Sequence, residues 1–290
     1  MLKRTKGEKI FAIFNTIILS MLLVCTLYPC LYVVFAAFSD PIEFASSTKL
    51  LLKPAGFSLD GFKFVMENPM IWTGYANTIF VTVVGTLISV ILTVVAAYGL
   101  SRKTLPGKNI ILLGMIFTMY FVGGMIPNFL VFRTLGLLDS RIALMMPNLI
   151  NTYNFIIVLT YFKGLPESLE EAAKIDGANE FTILFKIFIP LAKPVISVIA
   201  LYYMVALWND FMTGLLYINS KEKYPLQLVL REILFQGSMN EQAATADAAA
   251  GLAESIKYAV MVVSTIPILC VYPFIQRYFV KGVMIGAVKG

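Results

Sequence analysis

The sequence predicts an all-α membrane protein with six transmembrane helices. The first observation behind this is composition: of 290 residues, 59% are hydrophobic and 14% charged, where an average soluble chain carries about a quarter charged residues. The second is distribution, because the charges cluster and leave apolar intervals of the length, about 20 residues, that a bilayer requires. The third is the absence of histidine. It removes the commonest general base and metal ligand and disfavours a hydrolase or a metalloenzyme. The net charge of +6 is not gathered into a basic patch with interleaved aromatics, so it is read as orienting the chain in a membrane and not as binding nucleic acid.

Each span follows from a charge-free interval. Lys9 to Asp40 encloses 30 uncharged residues and predicts a helix over 12–38. Its apolar stretch exceeds the about 7–15 residues of a secretory signal core. Val24 before Cys25 and Pro29 before Cys30 are unlike the small residues that precede a lipoprotein cysteine, so the helix is read as retained. Glu67 to Arg102 encloses 34 residues (span 74–101), Lys108 to Arg133 encloses 24 (109–132), and Arg141 to Lys163 encloses 21 (142–162). Lys193 to Lys221 is interrupted only by Asp210 (194–219), and Lys257 to Arg277 encloses 19 (258–276). Cys25, Cys30 and Cys270 lie in apolar runs without a paired spacing and read as small buried hydrophobes.

Lys and Arg number 14 on the side that holds both termini and 9 on the other. The bias places the termini in the cytoplasm of a multi-pass plasma-membrane protein. Three long segments remain, 39–73 and 220–257 outside and 163–193 inside, and long loops are where function concentrates.

The inner segment contains a short helix. Ser168 and Glu171 have the spacing of a capping box, Pro166 offers an alternative start, Glu170 and Lys174 form an i, i+4 pair, and Gly177 stands where a left-handed cap ends a helix. About ten residues cannot hold a helix in water unaided. Leu169, Ala172, Ala173 and Asp176 recur on one face, so the helix is expected to dock on a partner.

Glu171-Ala172-Ala173, then Gly177, then Ile187-Phe188-Ile189-Pro190 resembles the EAA motif of ABC-importer permeases, with Ile189 in place of Leu. Trp208-Asn209-Asp210-Phe211, Asn77-Thr78 and the ending from Gln276 to Gly290 narrow the resemblance to the carbohydrate-uptake permeases of the maltose type, MalG-like with LplC/YtcP-like relatives in Gram-positive bacteria. The resemblance implies a type I ABC-importer permease fold over 1–290. Residues 1–73 form the first helix and extracellular connector, and 74–290 form a five-helix core with the EAA loop 163–193 and the extracellular loop 220–257. It implies that Glu171, Ala172, Ala173, Asp176 and Gly177 belong to a coupling helix seated on an ATP-binding subunit. The tail, with Gly286, Lys289 and Gly290, would make a second contact there. The implied partners are a homologous permease in a heterodimer, two ATP-binding subunits and an extracellular sugar-binding protein met by the outer loops. ATP and Mg2+ sit on the partner subunits, and this chain binds no cofactor and no metal. Consistent with that, its one Gly-Lys pair, Gly107-Lys108, lacks the other residues of a phosphate-binding loop.

Inside the spans, Asp210 is the one formal charge and must face protein or a wet cavity. Helical spacing puts Tyr203, Ala206, Asp210, Thr213 and Tyr217 on one face with Asn209 and Tyr202 beside it. Rings and hydrogen-bonding groups together suit a sugar, and Tyr203, Asn209, Asp210, Thr213 and Asn151 are the candidate translocation path; a structural pairing of Asp210 is the competing reading. Thr78, Thr82, Thr86, Ser89 and Thr93, with Gly85, read as a close packing face. Asn148, Asn151 and Asn154 form a second polar stripe, and Gly123-Gly124 with Pro127 bend the third span. The alternatives are an ABC permease for a polyol or glycerol phosphate, and an ion-coupled secondary transporter using Asp210.

Overall fold

The computed structural model describes residues 5–46, 50–243, 254–270 and 273, all of them in helices, turns or loops. Contacts divide the chain into two compact units, Met1–Pro69 with Leu230–Ile266, and Met70–Val229 with Pro267–Gly290.

The first unit begins with α1, Lys6–Ala37, started by a capping box in which Thr5 Oγ1 accepts from Glu8 N–H and Glu8 Oε2 accepts from Thr5 N–H. Apolar side chains cover α1 on every face and only Ala36 and Ala37 are buried, the pattern of a helix solvated by lipid. Two short helices, α2 (Pro41–Ser46) and α3 (Asp60–Glu67), lie in the connector that follows α1. Tyr32, Phe44 and Tyr258 bring their rings within 5.7–6.4 Å of one another. A Cβ on Gly61 would lie 2.8 Å from Ser255 Oγ, so α3 approaches residues 254–270 closely because that position is glycine.

The second unit is built on α4, Pro69–Ser101, whose Thr78, Thr82, Thr86, Ser89 and Thr93 are all buried. This is the packing face read from the sequence. Thr78 Oγ1 accepts from Leu226 N–H at 2.7 Å, and a Cβ on Gly85 would meet Leu207 Cδ1 at 2.8 Å. There follow α5 (Lys108–Tyr120), α6 (Met125–Thr134), α7 (Arg141–Met145), α8 (Thr152–Lys163), α9 (Glu167–Ile175), α10 (Glu180–Ile183), α11 (Ile189–Leu191), α12 (Lys193–Asn209), α13 (Met212–Tyr217) and α14 (Leu226–Ala243). Residues 254–270 form α15, and its residues 254–266, like α14 from Leu230 on, belong to the first unit. The core joins Val94, Ala97 and Tyr98 of α4 to Phe155, Val158 and Phe162 of α8, Ala173 of α9, and Ile199 and Tyr203 of α12.

Three spans are broken, the third where Gly123-Gly124 and Pro127 were expected to bend it and the fourth and fifth against the expectation of continuous helices. The third bends by 117° between α5 and α6, where Gly124 adopts φ +90°. The fourth bends by 52° between residues 141–148 and α8, through a 3-10 turn at Met146–Asn148 that contains Pro147. The fifth is interrupted at Asp210, which ends α12 in an extended conformation. Charge-free length cannot reveal the breaks in the fourth and fifth spans, because the interrupting residues are themselves uncharged or hydrogen-bonded locally. Among the described residues, α1 and α4 are the two unbroken helices long and apolar enough to cross a membrane. Cys25, Cys30 and Cys270 are exposed and free, which corrects the expectation of burial. They stand on apolar helices whose outer surfaces need lipid and not a protein core.

Candidate functional site

The inner segment folds into a short helix locked onto the second unit. α9 starts at Glu167 with Pro166 as its cap, so the alternative start is the one adopted and Ser168 lies within the first turn. Its end is closed on the predicted residue. Gly177 has φ +77°, Gly177 N–H donates to Lys174 O at 3.0 Å, and Ala178 N–H donates to Ala173 O at 2.9 Å. This is a Schellman cap, and it turns the chain sharply toward α10.

One face of α9 belongs to the chain's own core and another is free. Ala173 is buried among Phe162, Phe188 and Tyr98, whereas Glu171, Ala172, Asp176 and Gly177 are exposed. The four-residue face read from the sequence is thus divided between the two. Glu170 holds the underside. It accepts from Lys174 Nζ at 2.7 Å, the expected i, i+4 pair, and from Arg102 Nη1. Lys174 also pairs with Glu180 at 3.3 Å, and Glu180 accepts from Tyr98 OH at 2.5 Å. The Arg102 guanidinium lies 4.3 Å from the Tyr98 ring centroid and 4.6 Å from that of Phe188. Burial opposes the charge on Glu170, but the Lys174 hydrogen bond and the Arg102 charge outweigh it and hold its carboxyl below its ordinary range. Hydrogen bonds to Glu170 and Glu180 hold the Lys174 ammonium above its own. Arg102 escaped the sequence reading; its only signal was its place as the first cation after α4.

The intramembrane residues form two groups. Tyr203, 1% exposed, has its hydroxyl 2.7 Å from Thr93 Oγ1 and accepts from Asn151 N–H at 2.9 Å, tying α4, α8 and α12 together. Beside it lies a recess of about 360 Å³ lined by Asn148, Asn151, Tyr153, Asn154, Tyr202, Tyr203 and Ala206. Here the asparagine stripe meets the aromatic face of α12. Asp210 and Thr213 lie outside this recess and satisfy each other: Asp210 Oδ1 accepts from Thr213 N–H at 3.0 Å and Oδ2 accepts from its hydroxyl. The Asp210 carboxylate therefore caps the short α13 within its own span. Asn209 Nδ2 donates to Val205 O at 2.9 Å, one turn back. Gly286, Lys289 and Gly290 lie outside the described residues.

In the loop before α7, Asp139, with φ +54°, receives Asn219 N–H, Ser220 N–H, Ser220 Oγ and Lys223 Nζ on its carboxylate. Asn77 donates to the carbonyls of Glu222 and Tyr224 and accepts from Arg141. The loop entering α7 and the loop leaving α13 are thereby joined to each other and to α4.

Residues 104–285, which include the whole of α9 and the recess, match the family described as binding-protein-dependent transport system inner membrane component. The chain belongs to this family. It is a membrane-embedded permease subunit of an ABC transporter, not an enzyme, and it works with ATP-binding subunits and a substrate-binding protein. It is 45% identical over 278 residues to the polygalacturonan/rhamnogalacturonan transport system permease protein YtcP of Bacillus subtilis, covering 94% of this chain and 96% of that one. Protein LplC of the same organism is 42% identical over 287 residues, covering 99% and 97%. A chain in the crystal structure of a bacterial ABC transporter involved in the import of the acidic polysaccharide alginate superposes with a TM-score of 0.86 at 33% identity, covering 96% of this chain and all of that one. That likeness establishes the ABC-importer permease fold for this permease.

Proposed function

We propose that this permease imports an oligosaccharide handed over by an extracellular binding protein, and that α9 is the coupling helix through which ATP-driven closure of the partner subunits moves the spans. Relatives named for polysaccharide transport support the substrate class. The observation that carries the coupling role is the division of α9. Glu171, Ala172, Asp176 and Gly177 present an exposed surface of two acidic and two small residues, while Ala173 and Glu170 fix the opposite side to the ends of α4 and α8. A surface that is free on one side and rigidly backed on the other can receive a push and pass it on.

In this reading the whole chain acts as one permease domain that pairs with a homologous permease as a heterodimer, with both termini in the cytoplasm of a Gram-positive bacterium. Tyr203, Asn151, Asn209, Asp210 and Thr213 flank the path, and the tail around Gly286, Lys289 and Gly290 adds a second contact with the ATP-binding subunits. Glu171→Lys and Gly177→Asp are expected to weaken co-purification of the ATP-binding subunits and to lower sugar uptake. Intact association and uptake in both variants would overturn the coupling role.

A further inference from the structure

We infer that this subunit itself grips the sugar in the recess between α8 and α12, and that the recess is built for a sugar bearing carboxylates. The inference rests on the carbohydrate reading above and names the substrate within it.

The recess is at membrane depth. Asn151 stands next to the middle of the uncharged interval 142–162, and Tyr203 lies near the middle of 194–219. Here the fourth span is broken, and broken backbone at that depth occurs only where it is buried in protein or lines a water-filled cavity. Asn154 is 4% exposed and lines the recess, yet its side-chain amide has no hydrogen-bond partner among the described residues. That amide is open to whatever occupies the recess. It has company: among the described residues the side chain of Asn148, the Nδ2 of Asn151 and the hydroxyls of Tyr153 and Tyr202 are also unpaired, and all four residues line the same recess.

The chemistry of this set selects the ligand. Every one of these groups can donate a hydrogen bond, and no carboxylate lines the recess. The amino-terminus of the 12-residue α8 lies there as well, because its cap Asn151 and its second residue Tyr153 are both lining residues. The amides of Asn154 and Phe155 are taken by Asn151 Oδ1 and O, which leaves those of Thr152 and Tyr153 without an acceptor among the described residues. A helix start with free N–H groups favours negative charge. Tyr153 and Tyr202 keep exposed ring surface for the apolar face of a pyranose. A neutral sugar would use the donors equally well, but it would gain nothing from the helix end or from the absence of carboxylates.

The test uses the complete importer, with its partner permease, ATP-binding subunits and binding protein, in proteoliposomes given trigalacturonate or the neutral galactotriose. Asn154→Asp and Asn148→Asp each place a carboxylate in the recess. Each is expected to lower trigalacturonate uptake about tenfold, the loss expected when a hydrogen bond to a charged group is replaced by repulsion. Binding-protein-stimulated ATP hydrolysis reports whether the variant has assembled, and the half-exposed Asn148 carries the test where the Asn154 variant fails to assemble. In an Asn148→Cys variant, alkylation of the new thiol is expected to slow when trigalacturonate is added. Uptake at the wild-type level in both aspartate variants, or alkylation indifferent to the sugar, overturns the inference. Wild-type uptake of galactotriose without trigalacturonate overturns the preference for carboxylates and leaves the carbohydrate reading standing. Uptake of neither sugar by an assembled importer overturns the inference, while the carbohydrate reading falls only if other oligosaccharides are refused as well.

Discussion

The Arg102 guanidinium donates to the Glu170 carboxylate, joining the residue that follows α4 to the underside of α9. Arg102 is 13% exposed and Glu170 22%, and Tyr98 and Phe188 flank the guanidinium. Removing one partner of a fully buried pair costs about 3–5 kcal/mol, and partial exposure brings the expected loss here to about 1–2 kcal/mol. Arg102→Ala should lower the thermal midpoint of the purified complex and the amount of sugar imported per ATP hydrolysed. Arg102→Lys should recover little, because an ammonium neither forks to the carboxylate nor stacks between rings. The double exchange Arg102→Glu with Glu170→Arg should recover part of the loss. A wild-type ratio of sugar to ATP in Arg102→Ala would remove this contact from the coupling route.

Gly177 has open space within this chain around the position a Cβ would take, so a side chain there strains the backbone without meeting the chain's own atoms. Its φ of +77° costs an L-residue about 1–2 kcal/mol. Gly177→Ala is expected to reduce uptake, and Gly177→Asn to reduce it less, because asparagine tolerates the left-handed region better. Equal uptake by the two variants would assign the glycine's importance to contact with the partner and not to the cap.

Both oxygens of the Asp210 carboxylate accept from Thr213, the pairing that a structural role requires. Asp210→Asn keeps an acceptor for Thr213 N–H and is expected to retain ATP-dependent uptake. Asp210→Ala loses the cap at a cost of about 1 kcal/mol and should lower complex stability. Uptake that persists without ATP-binding subunits, and is lost in Asp210→Asn, would instead establish ion coupling.

The Asp139 clamp carries a pH signature. The hydrogen bond from Lys223, followed by those from Ser220, holds its carboxyl well below the carboxylate range. An unfolded aspartate titrates near about 3.9. A depressed folded value gives stability that is complete above the unfolded value and lost as pH falls through the folded one. The difference in thermal midpoint between wild type and Asp139→Asn should therefore stay constant from about pH 7 to 5 and shrink below about pH 4. A difference that grows on acidification would contradict the clamp.

Much of the architecture could be read from charge positions, because the cost of placing charge in lipid is large enough to sort residues into spans and loops. The Glu170–Lys174 pair and the Gly177 cap were legible for a different reason, since each follows a local rule of helix geometry, and the EAA spacing was legible by its resemblance to a known motif. The divided face of α9 was not, because whether Ala173 or Ala172 turns inward depends on where Phe162 and Phe188 stand. The structural pairing weighed for Asp210 was legible as a possibility, but its partner, Thr213 three residues on in the same span, was not. The asparagines of the recess were visible as a stripe, while their meeting with Tyr202 required the fold.

Between α10 and α11 the chain runs as a π-helix, Leu184–Phe188, and this segment ends inside the stretch whose spacing defines the EAA motif. A π turn holds an extra residue, and each residue of an α-helix advances the face by about 100°. The segment thus acts as a phase setter, fixing the angle at which α12 leaves relative to the docking surface of α9. The constant distance from Gly177 to Pro190 then stores a rotation as well as a length. Deleting one residue from Leu184–Phe188 would keep every contact residue of α9 and turn Tyr203 away from Thr93.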